Sequence, residues 1–301
     1  MKFRLSHEQR QFAASLDDLL SESAVPGVVR RWRVGDHGPG RKLWQRLADL
    51  GVIGLLADGG DLVDVAVAFE QLGRHAVPGP LVESVAVAPL LLAGSELADR
   101  LPESMTSVSY GSALDADVAD LVLVVDGDVL STGHCEGLVM SSVDRARRLF
   151  SVTPDRVVGA ARREAWDAGV LACAAQLLGA GCRVLDMAVG YAQQRVQFGR
   201  PIGGFQAVKH RLADAYVGLE FARPLVYGAA LSGTPRDVSA AKVACADAAY
   251  RASRVALQVH GAVGYTDEHD LGLWLTKIRA LVGAWGTGSV HRARVLEALC
   301  G

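Results

Sequence analysis

The spacing of apolar residues changes period twice along this 301-residue chain, and that change constrains its architecture more than any other feature. Up to about residue 100 the apolar positions keep helical spacing. Phe12, Leu16, Leu19 and Leu20 form one stripe, with Ser6 and Gln9 as a capping box before it. Pro26-Gly27 is expected to end this helix. Leu43, Trp44, Leu47 and Leu50 mark a second helix that stops at Gly51. A third spans Leu62 to Leu72, and Pro78, Gly79 and Pro80 separate it from an apolar segment from Val82 to Leu92. The runs then shorten to strand length: Val108, Tyr110, Leu121 to Val125, Val129-Leu130, Leu138 to Met140, and Arg156-Val157-Val158. Asp126-Gly127 is a hairpin-turn pair.

Helical spacing then returns. A long helix rich in Ala and Gly runs through Val170, Leu177 and Leu185 to Arg195, and another runs from Phe205 past Phe221 towards Leu231. Gly233-Thr234-Pro235 breaks the chain before a helix that Asp237 or Ser239 can cap, ending at His260. A fourth covers about Asp270 to Leu281, and a short helix follows Gly286 to Ser289. The expected fold is mainly α with a small β domain. Residues 1–100 form an N-terminal helical domain, 101–160 a shortened middle β domain, and 161–301 a C-terminal four-helix bundle.

Composition narrows the function classes. Half of the residues are hydrophobic, and the formal net charge is −2, which gives no electrostatic reason to expect nucleic acid or an anionic membrane as partner. Arginines gather at Arg30, Arg31 and Arg33 and at Arg145, Arg147 and Arg148, as a solvated face or as a binding patch. The five cysteines are scattered with no metal-ligand spacing, which fits reduced thiols in a cytoplasm and no metal site. Met1-Lys2-Phe3-Arg4 leads into a polar segment, so neither a signal peptide nor a spanning helix is expected.

The stretch from Gln193 to Asp214 reads as a helix, a sharp loop and a second helix. Gly199 and Pro201 stop the first helix, and Gly203-Gly204 let the chain turn before Phe205 and Gln206 open the next. By shape alone it is an ordinary helical hairpin with a basic surface. Its residue order, Arg-x-x-Phe-Gly-x-Pro-Ile-x-x-Phe-Gln followed by Leu-Ala-Asp, resembles the flavin-binding loop of acyl-CoA dehydrogenases. The resemblance implies FAD as cofactor, with Arg195 and Phe198 against the FAD of a neighbouring subunit and Gln206 at the start of a long helix. The order of helical block, β segment and four-helix block is also that family's, so the likeness covers essentially the whole chain.

Gln258-Val259-His260-Gly261-Ala262-Val263-Gly264-Tyr265 closes a helix. By itself it is a glycine C-cap or a turn that lets backbone amides approach a phosphate. It is similar to the family's Gln-x-x-Gly-Gly-x-Gly motif at the ADP half of FAD, with Ala262 at the second glycine, and this implies roles for Gln258 and Gly261. Glu268-His269-Asp270 is either an acid/base or metal cluster or a polar helix start near the N-terminal dipole. Trp285-Gly286-Thr287-Gly288-Ser289 resembles the segment in which a glutamate takes the substrate α-proton and a threonine contacts flavin. Thr287 matches. Trp285 stands at the glutamate position, and an indole N–H is not a base. The alternative base position, on an earlier helix, holds Gly169. Asp167, two residues before it, matches an aspartate near the CoA thioester in some relatives, which implies a substrate-contact or capping residue, or a base if the helix is displaced.

The middle segment lacks the family's Thr-Glu-Pro type loop and much of its β-barrel. The resemblance therefore implies a subunit of an FAD-dependent dehydrogenase acting on an acyl-CoA thioester. In that reading a second, full-length subunit supplies the base, as in the α2β2 actinobacterial enzymes that act on steroid side-chain thioesters. This chain resembles their short, degenerate subunit. A noncatalytic structural partner and a self-sufficient flavoenzyme using Asp167 or Glu268 are the alternatives.

Overall fold

The computed structural model describes residues 5–266 and 269–300. It opens with α1 (His7–Glu22), α2 (Val25–Arg33), α3 (Gly38–Asp49) and α4 (Leu62–Arg74). A π-helical turn (Val82–Val87) then runs into α5 (Ala88–Leu92). The capping box on Ser6 and Gln9 is present. Pro26-Gly27 does not end α1, which stops at Glu22. Both residues lie in the first turn of α2, where proline's missing N–H costs nothing.

The middle of the chain is one five-stranded sheet in the order β1-β3-β4-β5-β2. Its strands are β1 (Thr106–Ser109), β2 (Ala113–Leu114), β3 (Leu121–Asp126), β4 (Val129–Ser141) and β5 (Arg148–Ala160). The Asp126-Gly127 turn joins β3 to β4, with Asp126 opposite Val129. The separate short runs expected after residue 128 are parts of two long strands. β4 and β5 pair along their whole length, with register shifts that interrupt their periodicity.

α6 (Arg163–Gln194) is the axis of the molecule. It is apolar and long enough to cross a membrane, but it is buried on nearly all sides by protein. Its small residues let backbones touch. A Cβ on Gly179 would come within 1.8 Å of the Glu70 carbonyl, and one on Gly73 within 2.1 Å of the Gln176 carbonyl. Glu70 itself, buried on α4, receives Arg223 and Tyr227 from α7 (Gln206–Ser232), so the N-terminal helices are clamped to the C-terminal bundle. The bundle continues with α8 (Pro235–His260), α9 (Leu271–Gly283) and α10 (Gly288–Cys300). Thr234, rather than Asp237 or Ser239, caps α8. Two lysines are wholly buried as caps: Lys242 Nζ donates to the carbonyls of Leu281 and Val282, and Lys277 Nζ to that of Val77.

Candidate functional site

α6 ends at Arg195, and a two-stranded hairpin follows, β6 (Val196–Gln197) and β7 (Arg200–Pro201). Its two turn residues, Phe198 and Gly199, have φ of 51° and 77°, the pattern of a tight primed turn. Glycine takes that conformation freely; phenylalanine does not. Phe198 is nonetheless 92% exposed, its ring set edge-on to Phe205 at 6.1 Å between centroids. A large apolar ring held in a strained conformation and offered to solvent marks a surface built to receive something. Arg195 and Gln206 are exposed beside it.

Gln258 and Gly261 lie at the same end of the bundle, where α8 stops. Gln258 Oε1 accepts from the Arg211 guanidinium of α7, and Gly261 has φ 63°. The ring of His260 stacks on Tyr191 from the last turn of α6 at 4.5 Å, which ties the two helix ends together. Arg211, Arg251, Arg254, Gln258, Gly261 and Tyr265 line an open groove of about 520 Å³. Three guanidinium groups around a turn with no Cβ fit the phosphates of a dinucleotide. His269 Nδ1 accepts from the Leu271 N–H, and Asp270 pairs with Arg30 at 2.5 Å. Glu268 lies outside the described residues.

The third motif sits elsewhere. Trp285 takes φ 58° and Gly286 φ 98°, and His291, fully buried, holds the bend. Burial keeps the His291 ring below the usual histidine range and therefore neutral, so its Nε2–H donates to the Trp285 carbonyl at 2.8 Å. Its Nδ1 faces the Ser239 hydroxyl at 3.2 Å. Thr287 Oγ1 lies 2.8 Å from Ser289 Oγ, exposed at the start of α10. The Trp285 indole lies against Gly169, so the two positions that the family likeness marks for a base face each other in space. Neither holds a carboxylate.

Asp167 does not replace them. Residues two apart on a helix do not share a face. Asp167 points to the side opposite Gly169 and pairs with Arg294 of α10 at 2.7 Å. Trp166, three residues before Gly169, is on the correct face and touches Trp285 at 5.2 Å between rings. Tyr110 closes the group at 4.9 Å from Trp166. These aromatic residues line a cavity of about 370 Å³ together with Glu83 and Arg147. Of these, the sequence pointed to Trp285 and, as one of a cluster of arginines, Arg147; Trp166, Tyr110 and Glu83 were not singled out for a site. The i to i+3 spacing of Trp166 and Gly169 was the available signal.

The two halves of the site are far apart. Gly169 is near the start of α6 and Arg195 caps its end, which at 1.5 Å per residue separates them by about 39 Å. A single chain does not bring Thr287 and the Arg195 loop onto one small ligand.

The family model described as the acyl-CoA dehydrogenase N-terminal domain matches residues 6–100, and that for the C-terminal domain matches residues 163–300. The chain is 32% identical to the acyl-CoA dehydrogenase IpdE2 of Mycobacterium tuberculosis, over 90% of both chains. Among solved structures, the ChsE4-ChsE5 complex from Mycobacterium tuberculosis superposes with a TM-score of 0.83 at 21% identity, covering 100% of this chain and 99% of the other. The Tcur3481-Tcur3483 steroid ACAD superposes with a TM-score of 0.80 at 22% identity, covering 97% and 98%.

Proposed function

The chain belongs to the acyl-CoA dehydrogenase family, and from that membership we propose that it is one subunit of a two-chain acyl-CoA dehydrogenase whose catalytic base resides in the other subunit. FAD is the cofactor, and when bound it supplies the hydride acceptor for α,β-dehydrogenation of the thioester. The observation that carries the proposal is the pairing of an exposed, strained Phe198 with a plugged base position. The first is a loop kept for contact with a ligand beyond this chain's own core; the second leaves this chain with no carboxylate at residue 169 or 285.

Within this reading Arg195 and Phe198 hold the flavin nucleotide of the neighbouring subunit. Gln258, Gly261 and the arginines beside them hold the phosphates. Thr287 contacts the flavin at the far end of the bundle. Trp285, Trp166 and Tyr110 exclude water from the adjoining cavity without moving a proton. The named structures include a ChsE4-ChsE5 complex and a steroid ACAD, which favours a heteromeric assembly and a bulky acyl group; the α2β2 stoichiometry and a cytoplasmic location are part of this proposal. The plug of Trp285 on Gly169 also favours a second reading, a structural partner that contacts no flavin; the Arg195 to Gln206 loop speaks against it.

The test is turnover. The chain co-purified with the product of its neighbouring gene should oxidise an acyl-CoA thioester with an artificial electron acceptor, and the chain alone should not. A chain that turns over by itself would end the proposal.

A further inference from the structure

The cavity behind Trp285 carries more polar chemistry than an acyl pocket requires. Glu83, in the π-helical turn, is 96% buried by its 4% exposure, and its Oε2 has no hydrogen-bond partner. The Tyr110 hydroxyl is also buried without a partner. Arg147, from the connection between β4 and β5, lines the same cavity, and its guanidinium enters no ion pair among the described residues. Unpartnered buried polar groups are rare, and two that line one space beside the half-buried Arg147 guanidinium imply an occupant. The walls decide what kind. Tyr110, Trp166 and Trp285 present ring surface, which satisfies water poorly, and about 370 Å³ is within the range of small-molecule sites.

We propose that this cavity binds a small ring-bearing carboxylate with a second oxygen on the ring, its carboxylate paired with Arg147, its ring against Trp166, Trp285 and Tyr110, and its second oxygen bonded to Glu83 and the Tyr110 hydroxyl. Burial pushes the Glu83 carboxyl up to about 7, so at neutral pH and below it is a donor as well as an acceptor; Arg147, Asp115 and Lys277 are the charged groups that face it. The proposal rests on the two-chain reading only for the absence of conversion: residues 169 and 285 hold no carboxylate, and a free carboxylate lacks the thioester that acidifies an α-proton, so the ligand is held unchanged.

The probe is 3-oxocyclohexanecarboxylate, titrated calorimetrically into the full chain co-purified with its partner, with cyclohexanecarboxylate as the comparison. One saturable site per chain is expected, with a change in tryptophan fluorescence. Arg147→Met should weaken both probes at least about tenfold, a difference of about 1.4 kcal/mol. Glu83→Leu should weaken only the oxo compound, and Glu83→Gln, which keeps a donor, should bind it within about threefold of the parent, under half of that tenfold step on a logarithmic scale. Flavin content, read in the same samples, reports folding. No saturable binding of either probe, or equal affinity in the Arg147→Met chain with its flavin content unchanged, would mean a cavity filled by water and overturn the proposal. Binding by the co-purified complex when that complex carries no flavin would leave this proposal standing and overturn the two-chain flavin reading.

Discussion

The Trp285 indole occupies the space above Gly169: a Cβ built on that glycine would lie 2.6 Å from the ring. Two positions distant in sequence thus exclude each other's side chains. Gly169→Ala should destabilise the chain by about 1–3 kcal/mol, the ordinary cost of overpacking. Adding Trp285→Ala should recover part of that loss, so the pair will be non-additive in urea unfolding. Strict additivity would show that the ring and the glycine are not in contact.

Asp167 is an ion-pair partner of Arg294 and faces away from the cavity. Asp167→Asn should therefore leave the turnover of the two-chain complex within about threefold of the parent, far from the 10²–10⁴-fold loss that follows removal of a general base. Its effect should appear in stability instead, as a loss of about 1–3 kcal/mol. A loss of activity in the base-removal range, at unchanged stability, would restore Asp167 as the catalytic group.

The close approach of α4 and α6 gives a separate stability test. A Cβ on Gly179 meets the Glu70 backbone carbonyl at 1.8 Å, and backbone cannot step aside as a side-chain tip can. Gly179→Ala should lower the melting temperature by several degrees, whereas Gly190→Ala on the same helix, with nothing within 4 Å of its Cβ, should not lower it.

Glu83 sets an alkaline limit. Its folded pKa, about 7, is raised above its ordinary value of 4.5. Stability is therefore greatest below pH 4.5 as far as this group is concerned, and is lost as pH rises through 7, by on the order of 3 kcal/mol in all. The buried histidines act in the opposite sense. His75, His260 and His291 are lowered from 6.5 chiefly by burial, so their contribution is present above pH 6.5 and is lost as pH falls. Unfolding measured from pH 4 to 8 should show the two in opposition, and Glu83→Gln should remove only the loss towards higher pH, the alkaline limb. An unchanged alkaline limb in that variant would show that Glu83 is not the group responsible.

Elements dominated by local chemistry were legible before folding. The Ser6–Gln9 capping box, the Asp126-Gly127 turn and the helix–loop–helix at Arg195 are all where the residues suggested. Pro26 was misread because proline both ends helices and starts them, and only the helix that follows decides which. The length of β4 and β5 was hidden by register shifts that break the alternation. Which way Asp167 faces required the phase of an unbroken α6, and the partnership of Glu83, Arg147 and Tyr110 depends on three elements meeting. The buried lysines Lys242 and Lys277 were invisible for the same reason: their partners are carbonyls at other elements' ends.

The separation of Thr287 from the Arg195 loop along α6 makes the central claim measurable. The decisive quantity is the FAD-to-chain ratio, read from the flavin absorbance of the chain purified alone and again after co-expression with the product of its neighbouring gene. The two-chain account predicts flavin only in the co-purified complex, with its content reduced by Arg195→Ala and by Thr287→Ala. A yellow chain on its own, whose flavin is bleached by an acyl-CoA thioester, would contradict it.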